Sequence, residues 1–221
     1  MAEEISFTGG SQNCCVCFID IVDSTRITAV EVTDPQKIKS YYSIFINTMA
    51  AIARDFDATI IKNIGDSVIY YFPKTIDSTS NNMAAFKSVF ECGLTMIAVN
   101  PAINAKLKEQ EERLPHLSYR ISADYGRVEV ATSLTSASED LFGPAVNLCA
   151  KINSKAEPNG MVIGDNLYQI TRGLCDYDYN FTKTDEYSID DNPANQYSVY
   201  SITSKDEKSN DKKKKVYRKI I

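Results

Sequence analysis

The chain has 221 residues, 43% of them apolar, and a formal net charge of −5. That length and composition suit one domain with a substantial core and leave little chain for a second. No apolar run approaches the ~20 residues of a membrane span, and the start, MAEEISFTGG, lacks the basic and apolar regions of a signal peptide, so the expectation is a soluble cytoplasmic protein.

The charge is uneven. The last 18 residues, SKDEKSNDKKKKVYRKII, carry a net +5, which leaves −10 on the 203 residues before them. A body that acidic is no candidate for nucleic-acid binding. The tail, residues 204–221, reads as a solvated disordered terminus whose charge suits an anionic surface. Six cysteines and a single histidine, His116, show no zinc-type spacing, so free buried thiols are expected.

After an N-terminal segment, residues 1–11, the run CCVCFID (14–20) has β-compatible apolar residues on both faces and suits a central strand that ends in Asp20. The stretch 35–56 opens with Asp34 as N-cap and Pro35 at the first helical position. It then repeats Ile38, Tyr41, Tyr42, Phe45, Met49, Ile52 and Phe56 at helical spacing. Residues 58–73 form two β-patterned runs around Gly65-Asp66, a hairpin. A helix follows from 82 to 100, continuing or restarting after Pro101. LSYRISAD (117–124) and RVEVAT (127–132) read as a strand pair about a turn at Tyr125-Gly126. Residues 143–156 are helical, GMVIG (160–164) is a strand, 165–174 is a helix, and 178–184 with 196–203 form a closing hairpin. This succession describes an α+β fold, an antiparallel sheet with helices on one face.

The chemistry begins at Asp20, since a carboxylate at the end of an apolar strand needs water or a positive partner. If the strand of Asp20 neighbours the hairpin, Asp20 meets Asp66 at one sheet edge, and the two repel unless a cation lies between them. Oxygen donors without nearby nitrogen or sulfur favour Mg²⁺ or Mn²⁺, ions that also take substrate phosphates. Asp23, Ser24 and Thr25 precede a short helix, where hydroxyls and backbone N–H groups favour an anion. Simple capping of that helix by Ser24 or Thr25 explains the same residues, and spacing alone leaves both readings open.

Four segments, FIDIVDST (18–25), KNIGDS (62–67), RISADYGRVEVA (120–131) and DLFGPAVNLCAKI (140–152), resemble in order and interval those of the class III nucleotidyl cyclase catalytic domain. The resemblance covers residues 12–203. It implies a ferredoxin-like, palm-type sheet, and a head-to-tail homodimer with its sites between protomers. It also implies ring closure of a nucleoside triphosphate to a 3′,5′-cyclic monophosphate with loss of pyrophosphate. By position, Asp20, Asp66 and the carbonyl of Ile21 would bind two divalent ions, and backbone amides between Val22 and Thr25 would hold the phosphates.

From the other protomer, Lys62 and Asp140 would read the base, and their donor and acceptor match adenine, so ATP is the expected substrate. Asn147 and Lys151 would orient the ribose and stabilise the transition state. Two departures stand out: Lys151 replaces the usual Arg, and Asp23 stands where many relatives have Gly. Lysine keeps the charge but loses the planar fork, which implies a slow enzyme. Lys183 is the candidate for the terminal phosphates. A cyclase for GTP or a pyrimidine triphosphate, and a cyclase-like domain that binds nucleotide without turnover, are the alternatives.

Overall fold

A computed structural model describes residues 5–6, 10–76, 83–109, 114–133, 139–173, 176, 178–188 and 196–206. Its sheet comprises β1 (Ile5–Ser6), β2 (Ser11–Ile21), β3 (Thr59–Ile64), β4 (Ser67–Phe72), β5 (Tyr119–Ser133), β6 (Glu139–Phe142), β7 (Met161–Gly164), β8 (Tyr179–Ser188) and β9 (Gln196–Ser204). The helices are α1 (Ser24–Arg26), which runs into a π-helical turn at 27–31, α2 (Pro35–Asp55), α3 (Met83–Ala98), α4 (Asn100–Glu109), α5 (Pro144–Asn153) and α6 (Asp165–Thr171). The strand order is β3-β4-β2-β5-β7-β9-β8, with β1 and β6 added along the far half of β5. Only the β5–β7 pairing is parallel among the described strands.

Local sequence explains several of these elements. The Asp34 carboxylate accepts from the amides of Gln36 and Lys37 at 2.7 and 3.2 Å, with Pro35 in the first turn, and so starts α2. The apolar stripe of α2, with Tyr41, Phe45, Met49 and Ile52, is fully buried. Alternation along β2 then divides the core in two. Cys15, Cys17, Ile19 and Ile21 pack with α2, α3 and α4 on one face, while Cys14 and Val16 pack on the other with Val128 and Ala145. Helices therefore cover both faces, because α5 occupies the side opposite α2.

The expected turn at Tyr125-Gly126 does not exist. β5 is one strand of 15 residues, paired without interruption to β2 from Ile21↔Tyr119 to Ser11↔Glu129. Gly126 serves contact instead of a turn: a Cβ there would lie 3.3 Å from Cβ of Ala145, so its absence lets α5 lie close on the sheet. Three polar bonds fasten that helix. Cys149 Sγ donates to the Val16 carbonyl at 3.3 Å, Ser122 Oγ donates to the Cys149 carbonyl at 2.7 Å, and the Asn153 amide donates to the Phe18 carbonyl at 3.1 Å.

Beside α5, the buried carboxylate of Asp124 accepts from the Tyr197 hydroxyl at 2.7 Å and from the Tyr125 and Leu167 amides at 2.8 and 3.4 Å. Burial pushes its pKa up to about 7, against the pull of these donors. Cys14, Cys15, Cys17, Cys92 and Cys149 are free and buried, and burial raises the Cys14 and Cys149 thiols to about 12. Cys175, and residues 207–221 of the expected tail, lie outside the described residues. Among the described residues no helix is long and apolar enough to cross a membrane.

Candidate active site

β2 and β4 are neighbours, with Asp20 directly opposite Ser67, so Asp66 in the preceding turn reaches the same sheet edge as Asp20. The turn is the two residues Gly65-Asp66, and Gly65 has the positive φ of 60° that such tight hairpins favour. The Ser67 hydroxyl donates to Asp20 and the Ser24 hydroxyl donates to Asp66. Partial burial raises the Asp20 carboxyl above its ordinary value and the Asp66 charge adds to this, while Ser67 and Arg120 oppose it.

Both carboxylates line an open cleft of about 740 Å³ with Ile21, Asp23, Ser24, Thr25 and Arg120. Among the described residues no His or Cys lines it. Two carboxylates and a carbonyl, with room for phosphate oxygens, fit Mg²⁺ or Mn²⁺, which bind through one or two carboxylates plus substrate. Among the described residues no three acidic, His or Cys side chains converge as a self-sufficient metal cage. An ion held there would need further oxygens, such as those of a triphosphate.

Arg120 was not among the residues that sequence singled out. It stands directly opposite Asp20 on β5, on the same face, and its buried Nε has no hydrogen-bond partner among the described residues. A buried unpartnered guanidinium nitrogen in a cleft is an anion site in waiting, because the unmade bond costs free energy until a ligand makes it. The signal was present in RISAD, where polar Arg120, Ser122 and Asp124 alternate with apolar residues on a buried strand.

Around Asp23 the turn is tighter than its sequence shows. Asp23 has φ 57° and ψ 27°, a left-handed conformation natural for Gly and tolerated by Asp. Its side chain is exposed, as is that of Thr25. The Val22 amide donates to the Ser118 carbonyl at 2.9 Å and so is not available to a phosphate, which narrows the expected amide cradle to Asp23, Ser24 and Thr25.

Lys62 and Asp140 form a second cluster. Their side chains make an ion pair between β3 and the short strand β6, with 37% and 31% of their surfaces exposed. The Lys62 ammonium lies 5.9 Å from the centre of the Phe142 ring, and the other Asp140 oxygen accepts from the Leu141 amide at 2.9 Å. Asn147 and Lys151, one helical turn apart on α5, are exposed on one side of that helix. Lys183 lies on the edge strand β8, where it pairs with Glu186, and it does not line the cleft.

The description of the adenylate and guanylate cyclase catalytic domain matches residues 8–204. The chain belongs to this family. A cytidylate cyclase of Staphylococcus aureus is 26% identical over 174 residues, 74% of this chain. The adenylyl cyclase CyaB from P. aeruginosa superimposes with a TM-score of 0.71 at 18% identity, over 90% of this chain and 97% of that one. The guanylyl cyclase Cya2 gives 0.71 at 16% identity, over 88% and 92%. Such identities establish the fold, and the three names span three bases. The chain spans 17% and 38% of the lengths of the curated relatives it matches.

Proposed function

We propose that this cyclase domain converts ATP to 3′,5′-cyclic AMP and pyrophosphate, as a homodimer with two Mg²⁺ or Mn²⁺ ions at each site. The adenine assignment rests on the Lys62–Asp140 pair: a donor beside an acceptor complements adenine's ring-nitrogen acceptor and exocyclic amino donor.

Asp20, Asp66 and the Ile21 carbonyl would hold the ions. When bound, these supply positive charge to the triphosphate and make the ribose 3′ hydroxyl easier to deprotonate. The 3′ hydroxyl gives up its proton to solvent, its oxygen bonds to the α-phosphorus, the bond from that phosphorus to its bridging oxygen breaks, and pyrophosphate leaves. Around this reaction the side chains bind and orient. Arg120 would meet phosphate oxygens with its Nε donor, which has no partner among the described residues. Ser24 and Ser67 hold the two carboxylates in place through hydroxyl donors. Lys62 and Asp140 of the partner subunit fix the base. Asn147 and Lys151 of the partner subunit fix the ribose and neutralise charge at the reacting phosphate, a task in which arginine fingers contribute roughly 10³ to 10⁵ in rate.

A second reading, a pyrimidine cyclase, is favoured by the relative named cytidylate cyclase. The test of the first is incubation with ATP and either metal, with products identified by mass. Cyclic AMP and pyrophosphate in equal amounts support it; ADP or AMP as the sole product contradicts it.

A further inference from the structure

Arg26 and Glu31 are five residues apart, a spacing that a regular α-helix sets on different sides. The π-helical turn changes this. Its Val32 amide donates to the Ile27 carbonyl five residues back, at 2.8 Å, and the wider winding brings Glu31 beside Arg26. The two side chains form an ion pair, and Arg26 also lines the carboxylate cleft.

Tyr41 of α2 shares the main core with Ile27 and Val32, the buried residues at the two ends of that turn. Its side chain is fully buried, and its hydroxyl has no hydrogen-bond partner among the described residues. Burial raises the pKa of this hydroxyl, and the charges of Tyr42 and Glu31 add to the rise. Glu31 therefore has a second donor close by, unused while its carboxylate faces Arg26. Among the described residues the cations that line the cleft are Arg26 and Arg120. With Lys183 elsewhere, Arg26 is the one that directly follows the Asp23, Ser24 and Thr25 amides in the chain.

We propose that Arg26 binds the terminal phosphate of the triphosphate, and that Glu31, released by it, accepts from the Tyr41 hydroxyl. The inference rests on the cyclase reading and adds to it a ligand-driven exchange of partners. The guanidinium fork meets two oxygens of a phosphate as well as it meets a carboxylate, and the greater charge of the phosphate favours the transfer. In the free chain one buried donor goes unused. In the bound chain every donor has an acceptor: Arg26 the phosphate, Tyr41 the Glu31 carboxylate. The bond gained at Tyr41 is made in the bound state alone, so it adds to the affinity for triphosphate.

The test is calorimetric titration of the full chain, with Mn²⁺, by the α,β-methylene analogues of ATP and ADP, which cannot cyclise. Arg26→Ala should weaken the ATP analogue about tenfold and leave the ADP analogue, which lacks the terminal phosphate, unchanged. An equal loss for both analogues, or no loss, overturns the assignment of Arg26. Tyr41→Phe should melt no lower than the wild type, because it deletes a hydroxyl without a partner, yet bind the ATP analogue about tenfold more weakly. In a Glu31→Ala background the same Tyr41→Phe change should leave that binding as it was. A lower melting temperature for Tyr41→Phe, undiminished binding, or the same loss with and without Glu31 overturns the exchange.

Cyclisation of ATP is measured in parallel. The expected binding pattern without cyclic product contradicts the cyclase reading alone, and cyclic product with binding indifferent to Arg26 and Tyr41 contradicts the exchange alone. A chain that binds neither analogue contradicts both.

Discussion

Lys62 meets Asp140 because β3 carries one residue too many. Thr59 and Ile60 pair with Tyr71 and Tyr70, but the next pairing is Lys62 with Ile69, leaving Ile61 as a bulge. In unbroken register Lys62 would stand opposite Val68, on the face of the main core. The bulge turns it to the face of Ile69 and α5, where Asp140 lies.

The pair is about one-third exposed, so solvent screens it and it contributes little to stability. Lys62→Ala should shift the urea unfolding free energy by no more than about 1 kcal/mol. If Lys62 reads the base, the same variant should raise the KM for ATP about tenfold, which corresponds to ~1.4 kcal/mol of binding. Equilibrium unfolding and initial rates check both halves.

Asp20 costs stability in the metal-free fold. Its carboxyl is raised by partial burial and by the Asp66 charge, so the metal-free fold holds two mutually repelling acids. Asp20→Asn should therefore melt higher than the wild type in EDTA. It should also lose about 10²- to 10³-fold in cyclisation rate, the scale of several kcal/mol of charge stabilisation. Scanning calorimetry in EDTA and a product assay with Mn²⁺ measure the two effects.

Lys151 is exposed on α5, free of crowding by the sheet. Lys151→Arg should fold normally and raise kcat, since a planar fork meets two phosphate oxygens where an ammonium meets one. A lower kcat would mean that lysine is the fitted residue. Steady-state kinetics with ATP decides.

Asp124 makes stability depend on pH. Its folded value of about 7 lies above the ordinary 3.8, so as pH rises the unfolded chain releases this proton first. Stability from this group is complete below pH 3.8 and is lost as pH rises through about 7. The full loss is on the order of 4 kcal/mol, from ~1.4 kcal/mol per pH unit. Asp124→Asn removes the dependence. The stability of the wild type relative to this variant should fall between pH 4 and pH 8, as measured by urea unfolding across that range; a constant difference would contradict it.

Much of this was legible in the sequence, for local reasons. Asp34-Pro35 and the apolar stripe after it define α2, and Gly65-Asp66 between two β runs defines the hairpin that carries Asp66 to the edge of Asp20. What escaped depends on partners far away in the chain. Gly126 looks like a turn residue until α5 is laid upon it. Lys62 changes face through a bulge that no local pattern announces. Arg120 belongs to the carboxylate cleft only through its register with Asp20. Asp140, a cap before a helix on local grounds, lies in a four-residue strand held by β5.

The central claim is that the carboxylates of one copy act with the base pair and α5 of another. Equal amounts of Asp20→Ala and Lys151→Ala chains, each inactive alone, should recover cyclic AMP formation from ATP when mixed, because one of the two interfaces in a hybrid dimer regains a complete set. Mixed chains that form dimers yet stay as inactive as each variant alone would contradict a site shared between two copies.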